Sequence, residues 1–280
     1  MPRAAAALWL WLAALTALAA LAPAAAAQDL TLTGALSQGG LVYGQTRPGA
    51  EVRLDGRPVP VGEDGRFLFG FGRDAAPEAV LELTLPDGTQ ARRTLEIAQR
   101  AYDIQRVDGL PQEKVTPPEE VLARIAAERA MVKEVRQVFR PQAWFESGFI
   151  WPVEGPISGV YGSQRILNGE PRWPHYGVDV AAPEGTPIVA PADGLVVLAH
   201  DDMYYSGGTL MIDHGYGLTS AYLHLKEIWV EEGQMLRQGE PIASVGATGR
   251  VTGAHLDWRF NWFDERLDPE LIVGPMPERP

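Results

Sequence analysis

Two stretches about eighty residues apart carry the chemistry of a single site, and any fold of this chain has to bring them together. One is Gly253-Ala254-His255-Leu256-Asp257-Trp258; the other is His175-Tyr176-Gly177-Val178-Asp179. Alternate residues of a β-strand share a face, so His255 and Asp257 project to the same side of theirs. His175 and Asp179 would lie roughly 13 Å apart in an extended strand. Gly177 is therefore expected to turn the backbone so that both reach one point. His224, in Ala221-Tyr222-Leu223-His224-Leu225, adds an imidazole to an otherwise apolar run. Imidazoles and carboxylates together are the ligand types of a catalytic zinc.

Composition narrows what can hold such an ion. The 280 residues contain no cysteine, so there is no disulfide framework and no thiolate, and any metal rests on histidine and carboxylate. The net charge of -12 argues against nucleic acid and anionic membranes as partners. Met1 to Ala27 has one basic residue, Arg3, an Ala/Leu/Trp-rich run and the small-residue end Ala25-Ala26-Ala27. This pattern predicts a secretory signal peptide cleaved after Ala27 and an exported protein.

The rest divides by pattern into a mainly β chain. From Gln28 to about Arg100, Leu41-Val42-Tyr43, Glu51-Val52-Arg53-Leu54, Arg66-Phe67-Leu68-Phe69 and Ala79 to Thr84 read as strands. Turn signals Arg47-Pro48-Gly49, Leu54-Asp55-Gly56, Asp64-Gly65 and Pro86-Asp87-Gly88 separate them. Such spacing predicts a small β-sandwich, and Gly44 to Val52 followed by Asp64-Gly65-Arg66-Phe67 resembles bacterial immunoglobulin-like modules. Residues 101–145 read as a linker with one amphipathic helix of roughly twenty residues, opened by the capping box Thr116-Pro117-Pro118-Glu119. From 146 to 275 strand patterns return, at Gly194 to Leu198, Thr209 to Ile212, Thr219 to Leu223 and Pro241 to Val245. Asp213-His214-Gly215-Tyr216-Gly217 is a hairpin signal between two of them.

This last region resembles the lysostaphin/LytM-type zinc metallopeptidases of bacterial peptidoglycan. The resemblance spans about Phe149 to Pro269 and rests on several ordered motifs: Trp151-Pro152-Val153, Gly159-Val160-Tyr161-Gly162, His175-x-Gly177-x-Asp179, Ala190-Pro191-Ala192-Asp193-Gly194, Ile212-Asp213-His214-Gly215, Tyr222-Leu223-His224-Leu225 and Gly246 to Arg250. It implies one zinc per chain held by His175 and Asp179, with His224 and His255 as catalytic imidazoles. The family closes its site with His-x-His, and here Asp257 stands at the last ligand position. A carboxylate there is chemically competent, but two carboxylates would cancel the dication and make its water less acidic. Arg259, on the same expected strand face, is a candidate to offset that charge. No His-Glu-x-x-His helix is present, so the imidazoles would carry the proton traffic.

The resemblance implies a metalloendopeptidase acting on peptidoglycan stem peptides, with the bond between D-Ala and the diaminoacyl residue as the expected target. The alternative is an inactive LytM-like regulator that activates a cell-wall amidase. A third pattern, Val230 to Pro241, looks like biotinyl and lipoyl carrier domains, yet the one nearby lysine, Lys226, lacks their hairpin-tip setting. His214 and His200 are expected to be structural, Trp258, Phe260, Trp262 and Phe263 chiefly core, and Ser163 to Pro174 a loop at the cleft border.

Overall fold

The computed structural model describes residues 29–110 and 112–277; the expected signal peptide lies outside them. The chain starts with seven short strands, β1 (Thr31–Gly34), β2 (Leu41–Gln45), β3 (Glu51–Leu54), β4 (Arg57–Val59), β5 (Arg66–Gly70), β6 (Glu78–Thr84) and β7 (Gln90–Glu96). They form two antiparallel sheets, β1-β2-β5 and β4-β3-β6-β7. Val42, Val52, Phe67, Phe69, Leu81, Leu83 and Leu95 share one buried apolar cluster. Asp55 and Gly56 join β3 to β4 with φ of 49° and 75°, the left-handed pair that a two-residue hairpin loop requires.

The linker does more than connect. Its strand β8 (Ile104–Val107) pairs in parallel with β10 (Gln164–Leu167), which also pairs with β11 (Glu170–Pro171). After the short α1 (Gln112–Val115), a 3-10 turn at Glu119–Val121 leads into α2 (Leu122–Arg136). The helix is thus fifteen residues long and starts after the expected capping box, which does not form. Thr116 and Pro117 each precede a proline, and a residue in that position is driven out of the helical region. The Thr116 hydroxyl instead accepts from Arg172 at 3.2 Å.

The C-terminal region is one large, predominantly antiparallel sheet. Its strands are β9 (Ile157–Gly159), β12 (Val178–Ala181), β13 (Pro187–Val189), β14 (Gly194–Met203), β15 (Gly207–Asp213), β16 (Leu218–Ile228), β17 (Met235–Leu236), β18 (Pro241–Val245), β19 (His255–Trp262) and β20 (Glu265–Leu267), followed by α3 (Pro269–Val273). The main path runs β17-β14-β15-β16-β19-β12-β9, with β20 continuing from β19 and β13-β18 attached to β16. On β19, Leu256, Trp258 and Phe260 point into the core and are fully buried. Asp257 and Arg259 therefore occupy the opposite face.

That face is covered by α2. Val132 and Val135 pack against a cluster containing Met211, Ala221 and Leu223. Ala221 and Leu223 stand directly opposite Arg259 and Asp257 in the β16-β19 register. Glu128, also on α2, accepts bonds from the Tyr204 backbone N–H at 3.1 and 2.9 Å. Among the described residues no helix is long and apolar enough to cross a membrane.

Candidate metal centre

The site is built on two paired strands. Asp179 of β12 lies opposite Asp257 of β19, and Ala181 opposite His255. Direct partners in an antiparallel pair present their side chains on the same face, so both carboxylates meet there. His175 enters from the segment just before β12. One ligand atom from each of His175, Asp179 and Asp257 falls within 4.8 Å of the others, and all three residues are buried. His175 Nε2 is 3.2 Å from Asp179 Oδ1, and His255 Nε2 is 3.8 Å from the same oxygen.

Burial makes this arrangement unusual. Both ring nitrogens of His175 and the Oδ1 of Asp179 are buried without a hydrogen-bond partner in the protein. The 3.2 Å approach between them lacks hydrogen-bond alignment. Unsatisfied buried polar atoms are costly, and their convergence from an imidazole and a carboxylate fits a divalent cation. Burial pushes the His175 imidazole well below its ordinary value, with the nearby Arg165 charge acting in the same direction. A neutral imidazole is the form that ligates a metal.

Two arginines balance the carboxylates. Arg165 Nη2 lies 2.7 Å from Asp179 Oδ2. Arg259 forks onto Asp257, Nε to Oδ1 at 2.8 Å and Nη2 to Oδ2 at 2.5 Å. Burial would raise the Asp257 carboxyl, but the Arg259 charge and its paired bonds hold it far below the usual carboxylate range. Asp179 is pushed up to about 6, by burial first and then by the Asp257 charge. Arg259 offsets only part of the site's charge; Arg165, from β10, matches the second carboxylate.

Gly177 has a different reason from the turn expected of it: its φ is not among the positive values found at many other glycines here. A Cβ at this position would sit 2.5 Å from Asp257 Oδ1 and 2.7 Å from Arg259 Cγ. Glycine is required because the Asp257–Arg259 pair lies against the backbone.

The two remaining imidazoles are held alike. His224 Nδ1 is 2.8 Å from the Thr248 carbonyl, and His255 Nδ1 is 2.9 Å from the Gly253 carbonyl. A carbonyl only accepts, so each Nδ1 carries the proton and donates, leaving Nε2 as the available acceptor in the neutral ring. The rings are 4.9 Å apart. His224 has φ of 66°, a left-handed conformation uncommon for a non-glycine residue and a marker of local strain. Burial lowers its imidazole to about 3.

The other candidates separate cleanly. His214 is fully buried, bonded at Nδ1 to the Asp193 carbonyl and at Nε2 to the Ser220 hydroxyl, both at 2.8 Å. His200 accepts from the Asp202 backbone N–H at 3.1 Å. Neither belongs to the His175, Asp179 and Asp257 group. Trp258 and Phe260 are core and Trp262 packs at its margin; Ser163 to Pro174, expected as a loop, is instead mostly the hairpin of β10 and β11, which contributes Arg165 from β10 and leaves Trp173 78% exposed. Val230 to Pro241 forms turns around β17.

Comparison with known proteins agrees with this architecture. Residues 173–269 match the model of Peptidase family M23. The crystal structure of a putative peptidase M23 from Pseudomonas aeruginosa superposes with a TM-score of 0.66 at 30% identity, covering 85% of this chain and 95% of that one. The chain belongs to peptidase family M23. Among curated relatives, the peptidoglycan DD-endopeptidase ShyB of Vibrio cholerae is 43% identical over 110 residues, 39% of this chain and 23% of ShyB. The murein hydrolase activator EnvC of Escherichia coli is 42% identical over 124 residues, 44% of this chain and 28% of EnvC. The chain thus spans under a third of the length of either relative.

Proposed function

We propose that this protein is an exported, periplasmic, zinc-dependent endopeptidase that hydrolyses peptide cross-links of peptidoglycan, at the bond between D-Ala and the diaminoacyl residue. The observation that carries this reading is the set of partnerless buried atoms on His175 and Asp179 beside Asp257. His175, Asp179 and Asp257 would hold one zinc. Such an ion supplies Lewis acidity toward water and toward a peptide carbonyl.

The remaining chemistry belongs to the chain's own residues. His224 and His255 each offer an unprotonated Nε2 to the site: one takes the proton of the attacking water and, once protonated, delivers that same proton to the leaving amine, while the other accepts a hydrogen bond that orients the water. Their Nδ1–H bonds to fixed carbonyls set the tautomer and the ring orientation. Arg259 locks the rotamer of Asp257, and Arg165 that of Asp179. Together the arginines neutralise both carboxylates, so the site does not cancel the charge of a bound dication. This charge balance supports an aspartate at the last ligand position.

A second reading is favoured by one observation. The helix α2 rests on the sheet face that carries Asp257 and Arg259, where a substrate would have to approach. A regulator that activates a cell-wall amidase would tolerate this cover, and EnvC, similar over 124 residues, is named as an activator.

Metal content by mass spectrometry of the exported chain, with His175→Ala and Asp257→Ala alongside, separates the two. About one zinc per chain in the parent, lost in both variants, followed by release of cleaved cross-links from purified peptidoglycan, is the expected result. A chain that takes up no zinc and stimulates an amidase instead would establish the regulator.

A further inference from the structure

Beyond the metal centre, the same sheet face carries a second cluster of charge that the peptidase reading leaves unused. Arg136, the last residue of α2, is only 7% exposed, and its Nε is buried with no hydrogen-bond partner in the protein. Arg266 of β20 stands opposite Asn261 of β19, two positions beyond Arg259. Directly paired residues share a face, so Arg266 and Arg259 lie on the same side. The end of α2 is tied to the β19-β20 turn by Gln137, whose Nε2 donates to Asp264 Oδ2 at 2.9 Å. Arginines from a helix and two strands therefore lie on one face, near enough for the charges of Arg266 and Arg259 to act on Arg136.

Their electrostatics do not close. Burial, and then the charges of Arg266 and Arg259, hold the Arg136 guanidinium well below its ordinary value. Arg266 is lowered to about 10 by burial and then by Arg259. Asp257 answers Arg259, and Asp264 is the one carboxylate that favours the charged forms of the other two. Asp179 also favours the charged form of Arg259 and is itself paired with Arg165, so four cations, Arg136, Arg165, Arg259 and Arg266, face three carboxylates, Asp179, Asp257 and Asp264, and one positive charge is left over. Arginine does not readily give up its proton, so the deficit calls for an anion rather than neutralisation.

We infer that Arg136 and Arg266 form a binding subsite for a carboxylate, adjoining the Asp257–Arg259 pair. A monoanion balances the local charge, and a planar carboxylate matches the guanidinium fork. The subsite lies next along the sheet from Asp257. On the peptidase reading, and resting on it, the ligand is a free carboxylate of an acidic peptide held beside the scissile bond.

The test is made on the full exported chain in the presence of a chelator, so that it does not depend on metal. Thermal unfolding is followed while sodium acetate replaces sodium chloride at constant ionic strength, up to about 100 mM, enough to register weak binding to the native state. Tm rises with acetate in the parent. In Arg136→Gln and Arg266→Gln the response is lost, and their Tm without acetate is no lower, because an unpaired buried charge has gone. By calorimetry, N-acetyl-alanine binds at least about tenfold more tightly than its amide. A Tm indifferent to acetate, or a response kept in both variants, overturns the subsite. Inorganic phosphate binding more tightly than acetate overturns its assignment to carboxylates. Zinc content measured without chelator reports separately on the metal reading.

Discussion

The two β regions of this molecule differ in what they bury beside an apolar core. Between the sheets of β1 to β7 the interior is a run of aliphatic and aromatic side chains, with Phe67, Phe69, Leu81 and Leu95 essentially without exposure. The large sheet has an equally apolar core around Trp258 and Tyr222, yet it also buries His175, Asp179, His214, His224 and Asp257. Buried ionisable groups cost free energy unless they are paired, bonded or liganded. The N-terminal region spends its interior on stability alone. The C-terminal sheet gathers Asp179 and Asp257 on one face and uses the other, where His214 packs on Phe149 and Phe260, for its core.

That contrast can be broken by truncating each interior. Phe69→Ala should cost about 4 kcal/mol, the transfer term plus a cavity. Denaturant unfolding checks the cost, and zinc uptake should be unchanged. Loss of zinc in this variant would show that the two regions do not separate packing from chemistry.

Arg259→Gln sharpens the comparison from the other side. It leaves the Asp257 carboxylate buried without its counter-charge, which should destabilise the metal-free protein by about 3 kcal/mol. Asp257→Asn in the same background should recover most of the loss, since no charge then remains. Chemical denaturation of the single and double variants measures both.

The buried imidazoles predict a pH dependence confined to the large sheet. His214 is lowered by burial to about 4 from an ordinary 6.5. Above pH 6.5 it is neutral in both states, so its full contribution is present. As pH falls from 6.5 toward 4 the unfolded state takes up a proton that the folded state refuses, and about 3 kcal/mol is lost. The difference between unfolding curves of the parent and His214→Gln, measured with chelator, isolates this share. A difference that is flat with pH would contradict it.

The smallest effect is expected at the surface of the N-terminal region. Arg47 reaches Asp29 at 2.7 Å and Asp87 at 3.1 Å, with its side chain about half exposed. Solvent screens such pairs. Arg47→Gln should leave the unfolding midpoint unchanged, in contrast to Arg259→Gln with the same chemistry in a buried setting.

Much of the architecture follows from local signals. Turn dipeptides such as Asp55-Gly56 and the stretch from Asp213 to Gly217 set hairpins where steric freedom or hydrogen bonding favours them, and the strand at Pro241 to Val245 matches its pattern residue for residue. The helix boundary does not follow from local signals. Thr116 has the residue type of a cap, but the prolines after it control the backbone, and its hydroxyl is taken by Arg172 from a distant loop.

At the site, the sequence alone determined which residue types were present and that His255 and Asp257 sit on alternating strand positions. It also singled out His175, Asp179 and His224 as the groups to bring together. Only the tertiary structure decided what surrounds them. Arg165 reaches Asp179 from fourteen residues earlier through its own sheet, Gly177 clears space for a pair eighty residues away, and His224 turns left-handed beside the loop that holds its ring. The same holds for Arg136, which reads as one cation near a helix end until α2 is laid over the face bearing Arg259 and Arg266. Local sequence encodes backbone preference and side-chain chemistry; strand register and packing determine which charges share a low-dielectric space.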